Sequence, residues 1–206
     1  MSILILNGSP RGKNGNCQIV IKRILNLMSL NQKSKSKHDL KTVHLSDVRW
    51  TPSEKKKLFS EIKSAQGFIF VTGTYWDSWG SPLQLFLENV TALEGTPSFL
   101  GKPAVVVVLN HSVGGKGVLS RLQGVLSTFG CMIPPMSGLV YSWVSDQILK
   151  KNSGSQRQTN TQKDLWSLAD LKDILENFQK ALEIKINWTG WPVDRKDART
   201  IWLRRR

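Results

Sequence analysis

The residues able to do chemistry gather in three short segments, each directly behind an apolar run. The first, Asn7-Gly-Ser-Pro-Arg-Gly-Lys-Asn-Gly-Asn-Cys17, sets a hydroxyl (Ser9) and a guanidinium (Arg11) among small residues at the mouth of an expected helix. Amides turned inward by such a loop, together with the positive end of the helix, form an anion site suited to a phosphate. Neither GxxxxGK nor GxGxxG is present, because Gly8 and Gly12-Lys13 stand too close together and no Ser or Thr follows the lysine. A plain turn accounts for the glycines but not for a hydroxyl and an arginine at the helix mouth.

The second segment, Thr72-Gly-Thr-Tyr-Trp-Asp-Ser-Trp-Gly-Ser-Pro82, offers flat apolar surface in Tyr75, Trp76 and Trp79 and donors in Thr74 and Ser78. That mixture suits a planar heteroaromatic ligand with a polar edge, and it equally suits covering a sheet edge or making a dimer contact. In the third, Asn110-His-Ser-Val-Gly-Gly-Lys-Gly117, glycines allow close backbone approach and can aim N–H groups at negative charge. A flexible connection reads the same way. His111 is expected to be a hydrogen-bonding partner, and no side chain is assigned as a catalytic acid or base or as a metal ligand.

These segments need a scaffold that presents them together. Apolar runs at Ile3–Asn7, Leu40–Leu45, Gly67–Thr72, Ala104–Leu109 and Met132–Val140 read as strands, the last interrupted by Pro134-Pro135. Between them, helical patterns cover Cys17–Leu30, a stretch from an N-cap at Ser53 to about Ile62, Pro82–Leu93 and Gly117–Phe129. An amphipathic closing helix follows over Leu165–Ile184, after a polar loop at Asn152–Thr161. Alternation of this kind predicts an α/β fold with a doubly wound, five-stranded parallel sheet, whose ligands bind beyond the carboxyl ends of the strands. Residues 1–186 are taken as the domain and 187–206 as a basic tail carrying Trp188, Trp191 and Trp202.

The 206 residues suffice for one domain with its own core. Cys17 and Cys131 form no CxxC pair, and Ile3–Leu6 is too short for a signal core, so a reducing, cytoplasmic setting without a membrane span is expected. Net charge is +14, carried by the ends: residues 1–57 hold 12 basic and 3 acidic side chains, 58–149 hold 4 and 5, and 150–206 hold 13 and 7. Solvated surface is the reading adopted for this excess, since no RNA-binding or zinc-finger signature accompanies it, and nucleic acid is not an expected partner.

The Gly8-Ser-Pro-Arg11 loop closed by Gly15-Asn16-Cys17, the Thr72-Gly-Thr-Tyr-Trp-Asp-Ser78 loop, Phe86, Lys102-Pro103 and the Gly114-Gly115 pair resemble the flavodoxin-like NADPH-dependent FMN reductase family over about residues 2–140. The resemblance implies that Ser9, Arg11, Asn16 and Cys17 hold the phosphate of FMN. It implies that Thr74, Tyr75, Trp76, Asp77 and Ser78 border the isoalloxazine, with Ser112, Gly114 and Gly115 near its pyrimidine edge. FMN would be the cofactor and NADPH or NADH the co-substrate of an oxidoreductase. Hydride would pass to the flavin and on to a small acceptor such as a quinone, a nitro or azo compound or another flavin. The family also implies a homodimer or homotetramer. Cys17 stands where the family has threonine, Gly73 where it has proline and Asp77 where it has glycine. A flavodoxin-like electron carrier and a basic binding or regulatory protein are the alternatives, the first disfavoured by the positive charge.

Overall fold

The computed structural model describes residues 2–30, 39–152 and 167–190. Five strands, β1 (Ser2–Asn7), β2 (Asp39–His44), β3 (Ala65–Gly73), β4 (Ala104–Asn110) and β5 (Gly138–Ser142), form one parallel sheet in the order β2-β1-β3-β4-β5. This is the flavodoxin-like doubly wound order, whose switch point lies between β1 and β3.

Strand residues alternate between two cores. Leu4, Leu6, Phe68, Phe70, Val106 and Val108 face α2 (Pro52–Ser64), α3 (Ser81–Val90) and α4 (Gly115–Thr128). On the other face Ile3, Ile5, Ile69, Val71, Val105 and Val107 pack against α1 (Asn16–Leu30) and α6 (Leu171–Leu182). Burial on both faces is why these strands read as unbroken apolar runs. Gly67 lets α6 come close, because a Cβ there would lie 2.8 Å from Phe178 Cζ.

Some boundaries differ from expectation for local reasons. The N-cap of α2 is Thr51, not Ser53: Thr51-Pro-Ser-Glu54 has the spacing of a capping box, with Pro52 in the first turn. Thr51 Oγ1 accepts the Glu54 N–H at 3.4 Å, and the Glu54 carboxylate reaches back to the Arg49 N–H at 2.8 Å. β5 starts after Pro134-Pro135, since prolines cannot donate to a ladder, and Met132 contributes only an isolated bridge to Pro103. An additional helix, α5 (Trp143–Asn152), follows β5 without a break where sequence reading had found none. The polar loop expected at 152–161 lies almost wholly outside the described residues, as do the first two positions of the predicted closing helix and Trp191 and Trp202. Within the basic C-terminal segment, Trp188 packs over Gly101 (φ +74°), whose Cβ would sit 2.3 Å from the indole Cδ1.

Candidate functional site

The first loop is built around Asn7, fully buried at the end of β1. Its Oδ1 accepts the Ser9 N–H at 3.0 Å, and its Nδ2 lies 3.0 Å from both Gly12 O and His44 Nδ1. Ser9 is buried as well, and its hydroxyl oxygen accepts the Arg11 N–H at 3.2 Å. Gly12 adopts φ +49° in a short 3₁₀ turn, where a Cβ would come within 2.5 Å of Ser46 Oγ. A Cβ on Gly15 would lie 2.7 Å from Ser9 Oγ and 3.1 Å from Arg11 Cβ. The chain is thereby curled into a cradle, with Arg11 and Asn16 exposed at the mouth of α1.

The second loop leaves β3 beside it. Gly80 N–H donates to Thr72 Oγ1 at 3.1 Å, and a Cβ on Gly80 would be 2.3 Å from Gly8 O, so the backbones of loops one and two touch. Tyr75 and Ser78 exchange both backbone hydrogen bonds, 2.7 and 2.9 Å, around Trp76 (φ 48°) and Asp77 (φ 56°). Both central residues with positive φ define a type I′-like turn, here made without glycine. Tyr75 folds back over Gly73 and Gly80, whereas Trp76 stands at the tip with its whole side chain in solvent. The Asp77 carboxylate is directed at Gly114 (φ +86°), the residue before α4.

Loop three is pinned to β5 and α5. Val144 N–H donates to His111 O at 2.9 Å, Ser142 Oγ donates to Ser112 O at 3.2 Å, and the His111 and Trp143 rings stack with centroids 5.1 Å apart.

A cavity of about 660 Å³ opens between these loops at the carboxyl end of the sheet. It brings Ser9, Arg11 and Asn16 together with Thr74 and Tyr75, five of the residues singled out by sequence. Trp76, Asp77, Ser78, Ser112, Gly114 and Gly115 lie on the same loops but outside its lining, and so does Cys17. Burial drives the Cys17 thiol up to about 12, only partly offset by a hydrogen bond with Ser9, so it is a core group and not a thiolate. Sequence reading missed Asn110, Tyr141, Trp143 and Leu168 as cavity residues. Asn110 was visible as the first residue of the third segment; the other three depend on where β5, α5 and the start of α6 lie.

Comparison with known proteins bears on what the cavity holds. The family described as NADPH-dependent FMN reductase matches residues 1–143. The chain belongs to that family. Membership makes this FMN reductase an NAD(P)H-dependent flavin oxidoreductase with FMN as cofactor. No curated protein matches the chain significantly. Among solved structures it is similar to RosB with bound intermediate OHC-RP (8-demethyl-8-formylriboflavin-5'-phosphate), at TM-score 0.67 and 14% identity over 88% of this chain and 79% of that one. It is also similar to the apo form of the NADH:FMN oxidoreductase EMOB, at TM-score 0.65 and 17% identity over 89% and 91% of the chains. A third is FerB, a flavoenzyme NAD(P)H:(acceptor) oxidoreductase from Paracoccus denitrificans, at TM-score 0.60 and 19% identity over 87% and 98%. At such identities these likenesses speak for the fold.

The residues present in the FMN reductase fit FMN. The cradle at Ser9–Gly15 has no room for a Cβ at Gly12 or Gly15, yet it leaves Arg11 and the first amides of α1 to receive a phosphate. In the cavity wall, Thr74 Oγ1 and Asn110 Oδ1 are buried without a hydrogen-bond partner. Orphaned buried polar atoms are costly and are expected where a ligand supplies the partner.

Proposed function

We propose that this FMN reductase takes hydride from a nicotinamide and delivers it to a small planar acceptor: a quinone, a nitro or azo compound, or another flavin. The observation that carries this reading is one cavity joining a phosphate cradle to two unpartnered polar atoms, Thr74 Oγ1 and Asn110 Oδ1, under an aromatic rim. FMN, when bound, supplies the two-electron chemistry.

The chain's own residues bind and orient. Arg11 offers charge and two donors to the phosphate, Asn16 its amide, and the buried Ser9 keeps the loop curled. Cys17 takes part through its place in the first turn of α1, its thiol being turned into the core. Tyr75 and Thr74 border the ring from loop two, while Trp76, Asp77 and Ser78 form the hairpin beyond them. Ser112, Gly114 and Gly115 bring loop three to the pyrimidine edge, where backbone donors steady negative charge. No side chain is needed as acid or base. His111, stacked on Trp143 with its carbonyl bound by Val144, serves to shape the loop.

The exposed side chains of Trp76, Val113 and Trp143 near the cavity mouth support a homodimer or homotetramer with this face at a subunit contact. Sedimentation equilibrium tests that part.

The function is tested by the visible spectrum of the purified protein with FMN added, followed by NADPH under argon and then by each acceptor. Bound yellow flavin that bleaches with NADPH and recovers its colour with a quinone supports the proposal; a preparation that takes up no flavin refutes it. Gly114→Val, which would force a Cβ to within 2.1 Å of Asp77 Oδ1, should lower turnover far more than His111→Ala. Equal losses would remove loop-three backbone from the reading.

A further inference from the structure

Asn7 carries a chemical constraint that reaches beyond the loop. Because a backbone N–H only donates, the 3.0 Å contact from Ser9 N settles which amide atom of Asn7 is oxygen. Its Nδ2 is then the atom 3.0 Å from Gly12 O and 3.0 Å from His44 Nδ1. An amide nitrogen has only hydrogens to offer, so His44 Nδ1 must present its lone pair. The proton of the neutral imidazole sits on Nε2, and a second proton would have to enter at Nδ1, opposing N–H to N–H.

We propose that His44 is a positioning residue for the phosphate loop: as the neutral Nε2–H tautomer it holds Asn7, and through Asn7 the Ser9–Gly12 turn that receives the phosphate of FMN. Protonation of His44 removes that support and weakens cofactor binding. The inference rests on the FMN reading above, and it adds a residue of β2 that lies outside the cavity lining.

Strand register places the two side by side, since Asn7 pairs with His44 across β1 and β2. The Leu45–Asp47 turn that follows packs beneath the loop, with Ser46 Oγ under Gly12 and Asp47 3.9 Å from Lys13. Two charged groups bear on His44: Asp47 from its own strand's turn favours the protonated ring, and Lys13 from the phosphate loop opposes it. They oppose each other, Asp47 having the larger effect. Burial, the largest influence, acts with Lys13 and holds the imidazole below its ordinary value. The sign follows by linkage: a depressed folded value means stability that is complete at neutral pH. It is lost as pH falls from the ordinary histidine value of about 6.5 toward the folded one.

Nitrogen NMR of the full-length protein without FMN reads the tautomer directly. A bare Nδ1, a protonated Nε2 and titration below the ordinary range are expected; an Nδ1–H tautomer at neutral pH overturns the proposal. FMN affinity is then followed by quenching of flavin fluorescence between about pH 7.5 and about pH 5 for wild type, His44→Gln and His44→Leu. The FMN phosphate titrates in the same range for all three, so the comparison isolates His44. Glutamine keeps a neutral acceptor, so His44→Gln should match wild type within about twofold at the upper pH. Over the acid range wild type should lose roughly tenfold more affinity than His44→Gln, the scale of one frustrated, partly buried hydrogen bond. His44→Leu, which leaves an Asn7 N–H unpaired, should be about tenfold weaker throughout. Equal acid losses in wild type and His44→Gln overturn the role of His44. Absence of FMN binding by all three at every pH refutes the FMN reading instead, and the NMR tautomer then decides the structural half alone.

Discussion

The two halves of the cavity are built on opposite plans. On the side of loop one, Asn7, Ser9 and the Gly12 turn satisfy one another through hydrogen bonds of 3.0 to 3.2 Å, with Asn7 and Ser9 both buried. On the side of loops two and three, Thr74 Oγ1 and Asn110 Oδ1 have no partner, and the hairpin tip places Trp76 and Asp77 at positive φ with Trp76 wholly in solvent. A self-satisfied loop is rigid before any ligand arrives, whereas orphaned polar atoms leave the other wall with bonds still to be made. Cofactor binding is therefore expected to change the side of loops two and three more than the side of loop one.

The largest effect should come from breaking the joint between the halves. In Gly80→Ala the new Cβ would be 2.3 Å from Gly8 O, a backbone atom that cannot swing away, so a loss of about 3 kcal/mol in urea unfolding is expected together with loss of FMN binding. Stability near wild type would mean that loops one and two are not locked together. Next comes the hub. Asn7→Leu strands the Ser9 N–H and Gly12 O and should cost about 2 kcal/mol in the FMN-free protein, which calorimetry can read. Thr74→Val sharpens the contrast, because it removes an orphaned hydroxyl at nearly constant shape. The FMN-free protein should be unchanged or stabilised by up to about 1 kcal/mol, while FMN binding weakens by roughly fivefold. Weaker folding without a change in FMN affinity would place that hydroxyl outside the ligand's reach. Smallest is Trp76→Gly, which relieves a positive φ at a fully exposed position and should raise stability by up to about 1 kcal/mol in thermal melts.

The parts legible in the sequence share a local cause. Strands β1, β3 and β4 are covered on both faces, so Ile3–Leu6, Phe68–Val71 and Ala104–Leu109 are continuous apolar runs that end abruptly at glycine-rich loops. The first loop is likewise contiguous, so Ser9, Arg11 and Asn16, which share the cavity lining, stand together in the sequence. Helix α5 escaped because Trp143–Asn152 follows β5 with no turn residue between them and with a mixed polar and apolar order. With it went Trp143 and its stacking partner role toward His111. Ser53 drew the N-cap expectation because serine is a common cap, yet only Thr51 has a glutamate three residues on.

From its own letters the chain determined the α/β alternation, the glycine-rich first loop and its family, because these depend on periodicity and on residues within about ten positions of one another. Only the tertiary structure decided that His44 meets Asn7, that Asp77 points at Gly114, and that Tyr141, Trp143 and Leu168 complete the cavity wall. Those contacts are made by strand register and helix packing between segments far apart in the chain, and no local pattern encodes which distant side chain will arrive.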